Sequence, residues 1–436
     1  MQSLTRLGVT LKIRRAGSVA LVALTNWAGN IEFAAQHVHR PSSIEELQEL
    51  IANATAVRPL GTGHSFNPIA DSRGLLISVD ALEVPPALDP KAGTVTVGAG
   101  ARYAQLSRWL HASGWALHNL GSLPHLSVAG ACATGTHGSG DGNGGLGTAV
   151  SAVEMVTSSG ELVTVRRGSD TDFAGTVVSL GMLGVAVRLT LDVQPAYEMR
   201  QWVFDGLSWE RLVAELDDVF AAGYSVSVFT GWRPDRAGQL WVKRRVDDPR
   251  DAEPELFGGR AADGPRHPID GMPVENCTAQ LGATGPWHER LPHFRAEFTP
   301  SAGDELQSEY LVPRRHAVDA VESLRRLGDR IAPVLQVGEL RTVARDDLWL
   351  SPSHGTDVLG IHFTWVNDGA TVRPVMAAVE DAIGPLGARP HWGKVFNMAP
   401  DTVRACYPRL ADFERLVRRY DPHGKFRNDF VDRYVA

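Results

Sequence analysis

The stretch Arg58-Pro-Leu-Gly-Thr-Gly-His-Ser-Phe-Asn67 constrains this chain more than any other. Two apolar runs meet there through a turn in which Gly61 and Gly63 lead directly into His64. Glycine takes positive φ without steric cost and lets backbone amides approach and face a ligand. A histidine held in such a nest sits against whatever the nest holds, which makes a bound cofactor one reading. A glycine turn with an incidental histidine is the other.

A chain of 436 residues, 43% of them hydrophobic, can bury a large core and divides into two domains. The formal net charge of −7 and the dispersed basic residues exclude nucleic acid as a partner and suit a soluble protein acting on a neutral small molecule. Cys132, Cys277 and Cys406 lie far apart and offer neither a disulfide framework nor zinc spacing, so no metal is expected and a reducing, cytoplasmic setting fits. No apolar run reaches the roughly 18 residues that span a bilayer. Lys12, Arg14 and Arg15 precede the apolar Ala16–Leu24 in the manner of a signal peptide, but the run is short and lacks a small-x-small site. Residues 1–24 are expected to be a disordered extension.

The element pattern is α+β, with strands and helices in irregular alternation and no regular βαβ repeat. Ser42 or Ser43 caps a helix whose apolar positions are Leu47, Leu50 and Ile51. Short strands follow at 57–60, 75–79 and 94–98, then a helix at 103–113. Glu154–Ser158 and Glu161–Val165 form a hairpin around Ser-Gly. Beyond Tyr197 tryptophan becomes frequent and a proline- and charge-rich loop spans about 247–290. Strands at 225–230, 239–244, 334–342 and 358–366 suggest an antiparallel sheet, with helices at 208–221, 314–330 and 371–385. The expected organisation is a first domain over 25–195, a second over 196–390, and a segment 391–436 that returns to the first.

A second glycine-rich segment runs from Gly121-Ser-Leu-Pro-His-Leu-Ser-Val-Ala-Gly130 to Ala-Cys-Ala-Thr-Gly-Thr-His-Gly-Ser-Gly140. Its small residues let backbone lie flat against a large planar or anionic ligand. Gly140-Asp-Gly-Asn-Gly-Gly145 matches G-x-G-x-x-G by letter, but a strand rather than a helix follows it. A Rossmann site is therefore excluded there, and a solvated glycine loop is expected.

Gly61-Thr-Gly-His-Ser-Phe-Asn67 and Ser122–Gly138, together with Thr25–Asn30, Trp287–Phe298 and His391–Phe396, resemble the alditol (xylitol) oxidases of the vanillyl-alcohol oxidase superfamily of flavoproteins, which carry a PCMH-type FAD-binding domain. The resemblance covers residues 24 to the end. It implies a two-domain α+β flavoprotein: an FAD-binding domain and a substrate (cap) domain built on a large antiparallel sheet. It also implies FAD bound covalently through His64. The cofactor would be held by Leu60, Gly61, Thr62, Gly63, Ser65 and Phe66, by Ser122, Ser127, Gly130, Thr134, Gly135, Thr136, His137 and Gly138, and by Val185.

The second domain offers groups suited to alcohol oxidation, which needs a positioned C–H, an acceptor for the hydroxyl proton and stabilisation of developing charge. Glu339 and Arg341 share one face of a strand, as do His362 and Thr364 on another. An exposed ion pair and a hydrogen-bonded core histidine are the plain alternatives. Lys394 lies among Trp392 and Phe396 on one alternating face, either snorkelling outward or held at a site. The resemblance carries polyol binding onto Ser122, Glu339, Arg341, His362, Thr364 and Lys394. Arg341 and Lys394 are assigned to the reacting hydroxyl, with Lys394, its pKa lowered by the nearby guanidinium, or His362 as the proton acceptor. Gly121 stands where the family pattern has alanine, which suggests oxygen access to the flavin edge. The expected activity is oxidation of a terminal polyol hydroxyl by O2, giving H2O2, in a monomer with no membrane partner. An aldonolactone oxidase or dehydrogenase, and a flavin-bearing electron-transfer or binding protein, are the alternatives.

Overall fold

The computed structural model describes residues 4–6, 9–16, 19–298 and 304–435, with side chains from residue 23 onward. Near the start, Val38–His39, Leu75–Ile77 and Val57–Pro59 form a small parallel sheet with Leu75–Ile77 at its centre. The helix Ile44–Asn53 connects the first strand to Val57–Pro59. Its start is capped twice: Ser43 Oγ accepts from the Glu46 amide, and the Glu46 carboxylate accepts from the Ser42 amide. Leu47 and Ile51 are buried one turn apart, the spacing that places them on one face.

A five-stranded antiparallel sheet follows, in the order Leu162–Arg166, Val150–Val156, Val185–Asp192, Thr94–Gly98, Ala87–Asp89. The first two strands are the hairpin read from the sequence. Its antiparallel pairing leaves no place for a Rossmann unit. The Gly140–Gly145 loop is only partly solvated. Asp141 and Gly142 are exposed, but the Gly140 amide donates to Thr342 and buried Asn143 donates to Ser139 and Tyr224 carbonyls.

Residues 198–390 build a ten-stranded sheet. At its centre lie Gly238–Arg245, Ser225–Thr230, Leu335–Val343, Val358–Val366 and Glu305–Pro313, all antiparallel. Two of its long strands, Glu198–Leu207 and Glu305–Pro313, are absent from the sequence reading. One face carries Leu340, Ile361, Phe363 and Trp365, which share a core with Val321 and Met376 of the helices Ala317–Arg325 and Gly369–Ile383. The opposite face is polar. Register sets Glu309, His362 and Glu339 side by side in one cross-strand row.

The chain then returns to its beginning. The Val57 amide donates to Lys425, and the Asn428 side chain donates to the carbonyls of Pro68, Ile69 and Asp71. Arg58, 2% exposed, joins the regions: its guanidinium donates to the carbonyls of Ile69, Leu180, Gly181 and Phe426. Burial lowers its pKa to about 10, so it remains charged at neutral pH.

Residues 1–24, expected as a disordered extension, contain paired strands among their described residues. Leu4–Arg6, Val9–Ala16 and Val19–Thr25 form an antiparallel meander. Val9, Leu11 and Ile13 alternate with Thr10, Lys12 and Arg14, the period of a strand. Among the described residues no helix is long and apolar enough to cross a membrane.

Removing the Arg58 guanidinium leaves the carbonyls of Leu180, Gly181 and Phe426 without their donor, while that of Ile69 keeps Asn428, at about 1–3 kcal/mol for each group that water cannot reach. The variant Arg58→Met is expected to lose at least about 3 kcal/mol of stability, read as a lowered midpoint in urea unfolding.

Candidate active site

A cleft of about 2330 Å³, counting its open mouth, separates the glycine-rich segments from the polar face of the large sheet. Leu60, Gly61, Thr62, Gly63, His64, Ser65 and Phe66 line one side, with Ser127, Gly130, Thr134, Thr136 and Val185. The other side carries Glu339, Arg341, His362, Thr364 and Lys394, and Ser122 and His137 lie at the junction.

The glycine side is built to meet a large polar ligand. A Cβ on Gly61 would stand 2.5 Å from Ser127 Oγ, and one on Gly130 2.8 Å from it, so the two glycines let both stretches of backbone lie close to that hydroxyl. Ser127 Oγ is buried with no hydrogen-bond partner among the described residues, although it faces the cleft. An unpartnered buried hydroxyl costs free energy unless a ligand satisfies it. The donor set and bare backbone therefore suit a cofactor with phosphate oxygens and a flat ring, and FAD has both.

His64 is placed from three directions. Gly63 has φ +67°, a conformation that favours glycine, and its carbonyl accepts from the Trp27 amide at 2.8 Å. The Trp27 ring stacks on the imidazole at 4.9 Å and 18°. His64 Nδ1 lies 3.1 Å from the Thr62 carbonyl, which only a protonated Nδ1 can bond, leaving Nε2 with a free lone pair. Burial above all, then nearby His125, lowers the His64 pKa to about 4, so the ring is neutral at physiological pH.

The polar wall converges on a residue that the sequence reading missed. Glu309, 1% exposed, accepts from Arg341 Nη2 at 2.7 Å on one oxygen and from Lys394 Nζ at 2.6 Å on the other. His137 Nε2 lies 3.3 Å from the first oxygen and His362 Nδ1 3.7 Å from the second. Burial pushes this carboxyl up, but Arg341, Lys394 and His137 outweigh it and hold it well below the usual range. Arg341 Nη1 also donates to Ser122 Oγ at 3.2 Å. Lys394 Nζ sits 2.7 Å from His362 Nδ1, and His362 Nε2 3.1 Å from Thr364 Oγ1. Burial, then Lys394, lowers the His362 pKa to about 4; burial likewise lowers that of Lys394, against Glu309 and with Arg341. His362 is thus neutral, with Nδ1 accepting from the lysine.

All six residues expected at a polyol do line the cleft. Lys394 reaches it by a different route from the alternating face expected, because residues 391–396 form a turn in which the Lys394 amide donates to His391. Trp392 points away into the core, fully buried. Gly135 and Gly138 do not line the cleft: a Cβ on Gly135 would meet Pro352, and one on Gly138 the Leu120 carbonyl at 2.3 Å. Both are glycines because protein, and not ligand, presses on them. At Gly121 the nearest atoms to an added Cβ are 3.6 and 3.7 Å away, so a methyl would fit. Signal for Glu309 did exist: Glu305, Gln307 and Glu309 alternate with Leu306, Ser308 and Tyr310. His137, Glu309 and His391 come within 4.8 Å of one another in the manner of a metal group. Arg341 and Lys394 already neutralise that carboxylate and would repel a cation.

Comparison with known proteins agrees with this geometry. Residues 35–166 match the FAD binding domain family, and residues 304–434 match the D-arabinono-1,4-lactone oxidase family. The chain is 52% identical to an alditol oxidase from Streptomyces sp. (strain IKD472 / FERM P-14339), over 94% of this chain and 98% of that protein. It is 28% identical to an L-gulono-1,4-lactone dehydrogenase from Mycobacterium tuberculosis, over 94% and 99%. A solved cholesterol oxidase from Brevibacterium sterolicum superposes with a TM-score of 0.76 at 16% identity, covering 95% of this chain and 97% of that one, which shows a shared fold.

Two buried histidines of the wall, His293 and His362, have pKa values of about 4. In the unfolded chain each titrates near 6.5. Between those values the unfolded state binds the extra protons, so stability falls as pH drops from about 6.5 to 4, by on the order of 3 kcal/mol for each histidine. The thermal midpoint is expected to fall steadily across that window; a midpoint constant from pH 7 to 4.5 would refute the neutral assignment.

Proposed function

The chain belongs to the alditol oxidase family of FAD-binding oxidoreductases, and we propose from that membership that it oxidises the terminal primary hydroxyl of an open-chain polyol, such as xylitol or sorbitol, to the aldose, with O2 reduced to H2O2. The observation that carries this reading is the joined set Ser122–Arg341–Glu309–Lys394–His362–Thr364, facing a glycine cradle across one cleft.

FAD bound in the cradle supplies the acceptor for a hydride and the route of its electrons to O2. The chain's residues do the rest. Arg341 and Lys394 bind the reacting oxygen and stabilise charge as it develops. Lys394, its pKa lowered by burial, is the group placed to accept the hydroxyl proton, with His362 Nδ1 2.7 Å away holding it in position. Of the two candidate acceptors, Lys394 touches the substrate and His362 orients it. Glu339, Thr364 and Ser122 bond hydroxyls further along the chain, and a ligand without them would leave buried groups unpaired. Two cations offset two carboxylates on this wall, which favours a neutral ligand.

His64 is the proposed covalent tether: a neutral imidazole with a free lone pair, stacked on Trp27 at the cradle's edge, is a competent nucleophile. At Gly121 the unfilled space supports oxygen access. We assign residues 25–195 and 391–436 to the FAD-binding unit and 196–390 to the cap, and place the protein as a cytoplasmic monomer with free cysteines.

Anaerobic addition of xylitol should bleach the flavin absorbance, and readmitted air should restore it with formation of H2O2. A flavin that stays oxidised with xylitol and sorbitol but bleaches with an aldonolactone would favour the lactone alternative; one that no donor reduces would favour electron transfer. The tether is read separately. Acid-precipitated wild-type protein should keep its yellow colour in the pellet, whereas His64→Ala should release its flavin to the supernatant.

A further inference from the structure

Behind the polar wall, outside the cleft, Lys243 of the strand Gly238–Arg245 is 1% exposed. Its Nζ donates to the carbonyls of Leu291 at 2.5 Å and Pro292 at 3.2 Å, and lies 3.3 Å from His293 Nδ1. An ammonium has donors and no lone pair, so Nδ1 must accept. The neutral ring then carries its proton on Nε2, which donates to Glu339 Oε1 at 2.9 Å. Phe229 and Trp241 hold the imidazole edge-on, at 5.0 Å and 77° and at 5.6 Å and 86°. The ring cannot turn freely; only its tautomer is left to be decided.

We propose that Lys243 is a positioning residue: through the tautomer of His293 it holds the Glu339 carboxylate in its substrate-binding orientation. This rests on the polyol reading of the cleft. In the other tautomer the Nε2 lone pair would face the carboxylate, with Ser227 Oγ, 3.4 Å away, as a rival partner for the ring. Glu339 would then keep only Arg341 Nε, 3.6 Å from its second oxygen, and could swing out of place. A buried lysine with no carboxylate in contact is a costly way to fill space that methionine would fill. What the ammonium adds is the donor at Nδ1. Burial lowers the Lys243 pKa to about 7; Glu339 and Cys277 favour the charged form, while Arg341 and Arg290 oppose it. The constraint is therefore strongest below pH 7 and loosens above it, as the amine gains a lone pair.

Nitrogen-15 histidine NMR of the holoprotein, with His293→Gln identifying the resonance, reads the tautomer without any substrate. Wild type at pH 6 should show His293 protonated on Nε2 alone, and K243M should show a mixture. With xylitol, K243M should raise KM about tenfold, the loss of one hydrogen bond to a charged group, with kcat within about twofold. A glutamine amide donates to Glu339 without help from Lys243, so K243M added to H293Q should leave the KM of H293Q unchanged. A wild-type His293 protonated on Nδ1, or a tenfold penalty that persists in the H293Q background, overturns the proposal. If xylitol is no substrate, the kinetic arm falls with the polyol reading and the NMR arm still decides. If K243M does not fold, the wild-type spectrum decides alone, through the pH 6 tautomer and its loosening above pH 7.

Discussion

The Glu309 carboxylate is the contact on which the active site depends. Arg341 and Lys394 arrive from a strand and a distant turn, the first buried and the second only partly exposed, at the cleft. Brought together without an anion they would repel each other and lower each other's charge. One carboxylate, with an oxygen for each, turns that repulsion into a fixed geometry. The ion pair keeps Lys394 within reach of His362 and turns the rest of the Arg341 fork toward Ser122, and so relates proposed substrate contacts from three separate regions of the chain.

The same economy links the cofactor side to the substrate side. Asn67 ends the His64 turn, and its amide donates to the carbonyls of Trp392 at 2.7 Å and Lys394 at 2.8 Å. The Phe66 amide donates to Gly393 at 2.8 Å. The turn that carries the proposed tether thus also places the lysine backbone, while Asn26 and Asn30 hold it from behind through Ser65 and Phe66. Distances between His64 and Lys394 are then set by a few short hydrogen bonds and not by the packing of whole domains.

Much of this was legible from local pattern. Glycine pairs marked the cradle because bare backbone is needed wherever chain approaches chain or ligand. The pairs Glu339/Arg341 and His362/Thr364 were visible because a strand shows alternate residues on one face. Glu309 escaped because its strand lacks the apolar run that flags a buried strand, although polar and apolar residues alternate along it. Lys394 was found for an incomplete reason: its neighbours looked like a strand face, and they form a turn. Gly135 and Gly138 were read as cofactor contacts, and protein crowds both, since a glycine signals crowding without saying what does the crowding.

The sequence by itself determined the residue types, the strand faces and the glycine turns, because these follow from periodicities of two and 3.6 and from the φ values that each side chain allows. It also carried the family resemblance. Only the tertiary structure decided which charges share a site. Glu309, Arg341 and Lys394 are separated by tens of residues, and their pairing is a matter of sheet register and of the chain's return, which no local pattern encodes. The protonation states of His293, His362 and Lys243 belong to the same level, because burial and neighbours set them and neither exists before the chain has folded.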